Sequence, residues 1–326
     1  MTFLTGASGF IGGHVAHALI KSGRSVRALL RPSSNREEIS ELDLEVVVGD
    51  LRDVDSLKGR IRGCRELFHV AADYRLWARN PGEIYASNIE GTRNILQTAL
   101  KEGVERVVYT STVGCIGIPA NNEEGDENVA VSVTKAAGAY KHSKYLAERV
   151  ALEFTSLGLP VIIVNPTAPI GEHDRKPTPT GKIVVDFLRK ALPAYLETGL
   201  NIVDVRDVAW GHLAAMKRGR SGERYILGGR NMMLREIFHT LSKISGQPAP
   251  KVRIPYAAAY VYGLTSTMTA KFTGRAPLAP LDAVRMARKR MFVKSEKAER
   301  EIGFVAGPVE QAFERAVQWF RNNQYC

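Results

Sequence analysis

Between residues 5 and 12 the chain reads Thr5-Gly6-Ala7-Ser8-Gly9-Phe10-Ile11-Gly12, directly after strand-like Thr2-Phe3-Leu4 and at the start of the helix-like run Ile11 to Lys21. Glycines at this junction permit a tight turn and a close approach of backbone to a bound group. The free N–H groups and dipole at the helix start favour negative charge there. A pyrophosphate meets those conditions, which makes Gly6, Ser8, Gly9, Phe10, Ile11 and Gly12 candidate contacts for a dinucleotide. The spacing alone would carry little; its position between strand and helix carries the argument.

The segments that follow extend the pattern. Short β-branched runs at Val26 to Leu30, Glu45 to Val48, Leu67 to Val70, Val107 to Tyr109 and Val161 to Val164 alternate with helix-length segments such as Ser87 to Glu102 and Ala139 to Ser156. This alternation predicts an α/β, doubly wound parallel sheet of Rossmann type. After Pro166 a Pro-, Thr- and Gly-containing stretch from Thr167 to Lys182 reads as a loop leaving the sheet. We therefore expect a nucleotide-binding domain over 1–166 and a smaller C-terminal substrate lobe over 167–326. That lobe should hold helices near Ile183 to Ala191, Leu234 to Ser245 and Val309 to Asn322, with a return to the sheet near Asn201 to Val205.

The second strand ends at Arg31 rather than at an acid that would hydrogen-bond both ribose hydroxyls. A guanidinium there suits a 2′-phosphate, which favours NADP(H), with NAD(H) as the alternative. After the third strand, Asp50 and Leu51 are placed to border the adenine.

Tyr140 and Lys144 stand four apart in a helical segment and so share a face. A lysine charge stabilises tyrosinate, so Tyr140 is expected to exchange its proton nearer neutral pH than a free phenol at about 10. The hydroxyl of Thr112, at a strand end, is placed to hydrogen-bond a reacting substrate oxygen.

The glycine turn, Thr110-Ser111-Thr112 and the Tyr140/Lys144 pair, in that order, resemble the extended branch of the short-chain dehydrogenase/reductase superfamily (the NAD-dependent epimerase/dehydratase family) across essentially the whole chain. The resemblance implies catalytic roles for Thr112, Tyr140 and Lys144, and a structural and proton-relay role for Asn88. It also implies cofactor contacts from Val70, Ala71 and Ala72, from Tyr140 and Lys144, and from Pro166 and Thr167. It implies a homodimer formed through two crossover helices. His69 to Leu100, with Ala72-Asp73-Tyr74-Arg75-Leu76-Trp77-Ala78, looks like the hopanoid-associated sugar epimerase group, and the chain also resembles dihydroflavonol-4-reductase-like enzymes. Leu200 stands where many nucleotide-sugar epimerases carry a diphosphate-binding arginine, unless nearby Arg206 serves instead.

Three functions follow from these readings. The first is NADPH-dependent reduction of a carbonyl, or the reverse alcohol oxidation; the second is sugar epimerisation through a keto intermediate; the third, a non-enzyme, is cofactor sensing. Asp73, Tyr74, Arg75 and Trp77 are candidates either to contact a small-molecule substrate (carbonyl, alcohol or sugar) or to pack the loop that holds them. Cys64, Cys115 and Cys326 fit neither a disulfide framework nor a metal site. We expect no metal. The net charge of +11 attracts anions, but its basic residues are dispersed, without zinc-finger spacing or an aromatic ribonucleoprotein motif, so no nucleic-acid partner is expected. Without a signal-like N-terminus or an apolar run of about 20 residues, a cytoplasmic setting is expected. Apolar, aromatic Tyr256 to Tyr262 and basic Arg285 to Arg290 raise membrane contact, but an ordinary core helix followed by a solvated helical face is the preferred reading.

Overall fold

Side chains alternate along the strands and sort onto two faces. In the computed structural model, which describes residues 1–119, 123–131 and 138–326, Leu4, Phe68, Val108 and Ile162 enter one apolar cluster, while Phe3, Leu67, Val107 and Val161 enter another. A parallel sheet buries both faces, so each cluster needs a helical cover.

In chain order the strands are β1 (Thr2–Thr5), β2 (Val26–Leu30), β3 (Glu45–Val48), β4 (Glu66–His69), β5 (Arg106–Thr110), β6 (Val161–Pro166), β7 (Ala168–Ile170), β8 (Ala194–Tyr195), β9 (Gly199–Asp204), β10 (Arg224–Leu227), β11 (Arg230–Met233) and β12 (Val252–Arg253). The helices are α1 (Phe10–Lys21), α2 (Gly82–Tyr85), α3 (Gly91–Lys101), α4 (Gly138–Ser156), α5 (Pro179–Leu188), α6 (Val205–Arg218), α7 (Leu234–Ser245), α8 (Tyr256–Thr273), α9 (Leu281–Met286), α10 (Glu296–Ile302) and α11 (Val309–Asn322).

Seven strands form a parallel sheet in the order β10-β6-β5-β4-β1-β2-β3. Helices α1, α6 and α10 cover one face through Val15, Leu19, Val208, Leu213 and Ile302. Helices α3 and α4 cover the other through Ile95, Leu96, Val150 and Phe154. Strand order reverses between β1 and β4, and in open α/β sheets ligands bind at the carboxyl ends beside such a switch point.

A three-stranded sheet (β11-β9-β7) and α5, α7 and α11 enclose a further apolar cluster around Phe187, Phe238, Phe313 and Phe320. The expected return near Asn201 to Val205 is instead β9 in this small sheet, and Arg224–Leu227 is the segment that rejoins the large one. Helix α5 starts earlier than Ile183 because Thr178 Oγ1 accepts a hydrogen bond from Gly181 N–H and Pro179 occupies the first turn. The single helix expected over Ser87 to Glu102 opens as a π-helical turn at Ala86–Glu90 before α3.

The expectation of a core helix at Tyr256 to Tyr262 is corrected. Ala259, Gly263 and Ala270 of α8 are turned inward, whereas Val261, Tyr262, Met268 and Phe272 are exposed. Gly263 lies against Leu281 and Val284 of α9, a close approach that leaves no room for a larger residue.

Candidate active site

The glycine turn follows β1 at the switch point. Gly6 has φ +80°, and a Cβ there would lie 2.6 Å from Ala71 N, so the turn closes directly on the segment after β4. A Cβ on Gly12 would run into the Gly6 carbonyl, which fixes the close packing of α1 on the turn. Gly9 differs: it is exposed, its φ is −99°, and a Cβ there would meet only Gly6 O at 3.3 Å. Gly9 caps α1 without a side-chain hydrogen bond, and the first helical turn contains no acid. An uncapped helix start with an open approach at Gly9 is what a phosphate requires, so the residues fit a dinucleotide. Ser8 and Ile11 flank it half-buried, and Phe10 is buried. After β4, Val70 is buried, Ala71 half-buried and Ala72 exposed.

Arg31 is exposed just beyond β2, and its N–H donates to Ser34 Oγ at 3.1 Å. Asp50 is held by Arg52 (Nη2–Oδ2 2.6 Å); that hydrogen bond, against a smaller cost of burial, lowers its pKa. The Leu51 carbonyl accepts from Asn94 Nδ2 of α3 at 2.8 Å, which ties this edge of the cleft to the helical layer.

Helix α4 carries Tyr140 and Lys144. Burial pushes the Tyr140 hydroxyl up to about 12, while its hydrogen bond with Thr112 works in the opposite direction. Lys144 is buried; its Nζ donates to Tyr109 Oη at 2.9 Å and to Thr110 O at 2.7 Å, and desolvation lowers its pKa to about 8. The expectation that the lysine charge would bring Tyr140 toward neutral pH is therefore corrected. In the protein alone, burial outweighs the Thr112 hydrogen bond, and the ammonium is bonded to Tyr109 and Thr110 O of β5.

Asn88, in the π-helical turn, is a tether. Its Oδ1 accepts from Asp73 N–H at 2.7 Å, and its Nδ2 donates to Asp73 O and to Ser143 Oγ, both at 2.9 Å. The loop after β4 is thus fastened to α4 one turn from Tyr140. Asp73 also pairs with Arg75 (2.6 Å), and Arg75 reaches Glu83 (2.9 Å). Tyr74 Oη donates to Lys176 O at 2.9 Å, which joins the loop to the second lobe. Trp77 is half-buried in the same loop. Pro166 ends β6, Thr167 N–H donates to Leu227 O at 3.2 Å, and Asn165 Nδ2 donates to Thr112 O at 3.0 Å, so the three strand ends are tied together. Leu200 packs against the apolar cluster of the second lobe, and Arg206 is paired with Glu172 at 2.6 Å. His142 pairs with Tyr85 Oη at 3.0 Å; Cys115 is fully buried, and burial raises its thiol to about 12.

Two arrangements escaped the sequence reading. In the first, a buried polar chain runs inward from Lys144 to Tyr109, whose hydroxyl is hydrogen-bonded to Thr92. Thr92 Oγ1 lies 3.0 Å from His69 Nε2, and His69 Nδ1 lies 2.8 Å from Thr5 Oγ1, next to the glycine turn. Burial, reinforced by the Lys144 charge, lowers the His69 pKa to about 3, so this histidine is neutral. In the second, His173 and Arg175 clasp Glu38 beside α1 (His173 Nδ1–Glu38 Oε2 2.6 Å). The alternation around Tyr109 could have signalled the first, since it places a tyrosine on the α4 face; nothing local signals the second.

The chain at Tyr109 yields a testable result. Tyr109→Phe removes an acceptor for the Lys144 ammonium, which favours the neutral amine and lowers the lysine pKa further. A hydrogen bond to a charged group contributes about 1.5–3 kcal/mol and one pKa unit is about 1.4 kcal/mol. The alkaline limb of kcat/KM expected from Lys144, whose pKa burial lowers to about 8, should therefore move about one to two units lower. An unmoved limb in a folded variant would disconnect Tyr109 from the lysine.

A seven-stranded parallel sheet, a glycine turn at its switch point and a Thr-Tyr-Lys grouping beside it define an enzyme of the nucleotide-dependent extended short-chain dehydrogenase/reductase class. The chain belongs to the NAD dependent epimerase/dehydratase family, whose profile matches residues 2–228. A Synechocystis sp. protein provisionally named dihydroflavonol 4-reductase is 45% identical over 327 residues, covering 99% of this chain and 95% of the relative. The sterol demethylase protein B of Methylococcus capsulatus is 32% identical over 324 residues, covering 98% of each. Among solved structures, the crystal structure of gox2253 superposes with a TM-score of 0.90 at 44% identity, covering 100% of this chain and 99% of that one.

Proposed function

We propose that this protein is an NADPH-dependent reductase of a carbonyl on a small, largely apolar molecule. The carrying observation is the hydrogen-bonded Thr112 and Tyr140 hydroxyls, backed by buried Lys144, past the carboxyl end of β5 in the sheet whose β1 leads into the glycine turn. When bound, the reduced nicotinamide supplies the hydride. Tyr140 donates its phenolic proton to the carbonyl oxygen as charge builds there, and Thr112, hydrogen-bonded to Tyr140, orients that oxygen and steadies the phenolate left behind. With its hydroxyl raised to about 12 by burial, Tyr140 holds its proton at neutral pH, the form that a proton donor to a carbonyl requires. Leu200, where an arginine would grip a diphosphate, and Arg206, held by Glu172, favour a substrate without a nucleotide. Relatives named for a flavonoid reductase and for sterol demethylation accord with an apolar carbonyl.

Residues 1–166 would bind the nucleotide and most of 167–326 the substrate. The experiment is identification of the cofactor released when purified protein is denatured, paired with NADPH oxidation against a panel of apolar ketones and aldehydes. The reductase reading expects an exchangeable cofactor and NADPH consumption. Stoichiometric, tightly held oxidised cofactor with no consumption would instead indicate an epimerase.

Preference for the phosphorylated cofactor rests on exposed Arg31. Arg31→Asp replaces an attractive charge with a repulsive one and should weaken NADPH binding about ten- to a hundredfold while sparing NADH, on the scale of hydrogen bonds to charged groups. Titration with both cofactors checks this, and equal loss for each would remove Arg31 from the 2′-phosphate site.

A further inference from the structure

Helix α8 inverts the usual arrangement of a surface helix. Its small residues Ala259, Gly263 and Ala270 face the protein, and its large apolar ones face outward: Val261 is 59% exposed, Tyr262 53%, Met268 52% and Phe272 92%. Leu278, in the connection to α9, is 82% exposed and extends the same apolar surface past the helix end. An apolar group of this size on one helix and its following loop calls for a partner.

Charge selects the partner. From Tyr256 to Arg290 the sequence contains six basic residues (Lys271, Arg275, Arg285, Arg288, Lys289 and Arg290) and one acid, Asp282. Several basic groups line the helix itself: Arg288 lies over the Tyr256 ring at 5.8 Å, Arg285 is hydrogen-bonded to Tyr260, and Arg275 follows the C-cap Gly274. A second copy of the chain meeting this face symmetrically would set these cations against their own copies. No helix among the described residues is long and apolar enough to cross a membrane. Outward apolar side chains on a helix that does not span, with cations on the adjoining α9 segment, combine the apolar burial and the attraction to anionic lipid by which a surface holds a bilayer.

We propose that α8 and the Phe272–Leu278 segment dock on the surface of an anionic phospholipid bilayer, with Phe272 and Leu278 entering the headgroup boundary and the arginines meeting lipid phosphates. The patch adjoins the candidate active site. Gly274 lies against Arg79 of the loop after β4, and Asp282 against Gly138, two residues before Tyr140. Entry of an apolar substrate from the bilayer rests on the reductase reading; docking itself does not.

The test is co-sedimentation of the full chain with vesicles of phosphatidylcholine alone or mixed with phosphatidylglycerol. Binding should require the anionic lipid and fall when salt shortens the screening length. Each of Arg275→Ser, Arg288→Ser and Arg290→Ser should weaken it up to about fivefold. Phe272→Ser combined with Leu278→Ser should weaken it by at least about tenfold, with circular dichroism unchanged. Failure to bind anionic vesicles, or binding indifferent to these variants, overturns the proposal. So does self-association, by sedimentation velocity, that the Phe272→Ser, Leu278→Ser variant abolishes, since a second copy would then cover the face. Docking without carbonyl turnover would leave the surface in place and refute only the reductase reading.

Discussion

Tyr140→Phe should lower turnover by at least about a hundredfold while leaving NADPH affinity within a few-fold of the parent. The substitution removes the phenolic oxygen and keeps the ring, so packing at the start of α4 is retained. General acid–base groups contribute about a hundredfold to ten-thousandfold. The upper part of that range is expected because Thr112, which is hydrogen-bonded to Tyr140, orients the substrate oxygen without replacing the lost proton. Stopped-flow turnover with fluorescence titration of NADPH separates the two effects. Near-normal turnover by a folded, cofactor-bound variant would remove Tyr140 from the chemistry.

Gly9→Val should abolish measurable dinucleotide binding while the protein remains folded. The backbone at Gly9 has φ −99°, which valine adopts, and only Gly6 O approaches a Cβ there, at 3.3 Å. The branched side chain would instead project into the space that a pyrophosphate needs at the α1 N-terminus. Gly12→Ala supplies the contrast: its Cβ would strike the Gly6 carbonyl, so stability should fall along with binding, on the scale of about 1–3 kcal/mol for overpacking. Calorimetric titration and thermal unfolding of both variants check this. Full NADPH affinity in folded Gly9→Val would place the phosphates elsewhere.

What could be read from the sequence was local. The glycine turn occupies eight consecutive residues, and the Tyr140/Lys144 pairing follows from helical period alone. The runs at Val26–Leu30 and Glu45–Val48 are strands as read: the first is buried within the sheet, and the second, at the sheet edge and half exposed, carries three consecutive valines that favour extended backbone. What could not be read depends on distant registers. The chain from Lys144 through Tyr109, Thr92 and His69 to Thr5 exists because β5 pairs with β4 and β4 with β1, and its members are scattered from residue 5 to residue 144. The direction of the Lys144 side chain was misread for the same reason: helical spacing places it near Tyr140 but says nothing of the acceptors on β5. In α8, periodicity identifies a helix but not which face is covered, and the small residues that face inward carry little signal in a hydropathy pattern.

The most direct measurement follows the hydride. With NADPH deuterated at the transferring C4 position and an apolar ketone as substrate, the reductase account predicts an alcohol carrying one deuterium on the former carbonyl carbon. Its formation should equal NADPH loss and disappear in Tyr140→Phe. Deuterium that remains on the cofactor, with no NADPH consumed across the carbonyl panel while a sugar substrate is interconverted at one carbon, would contradict it.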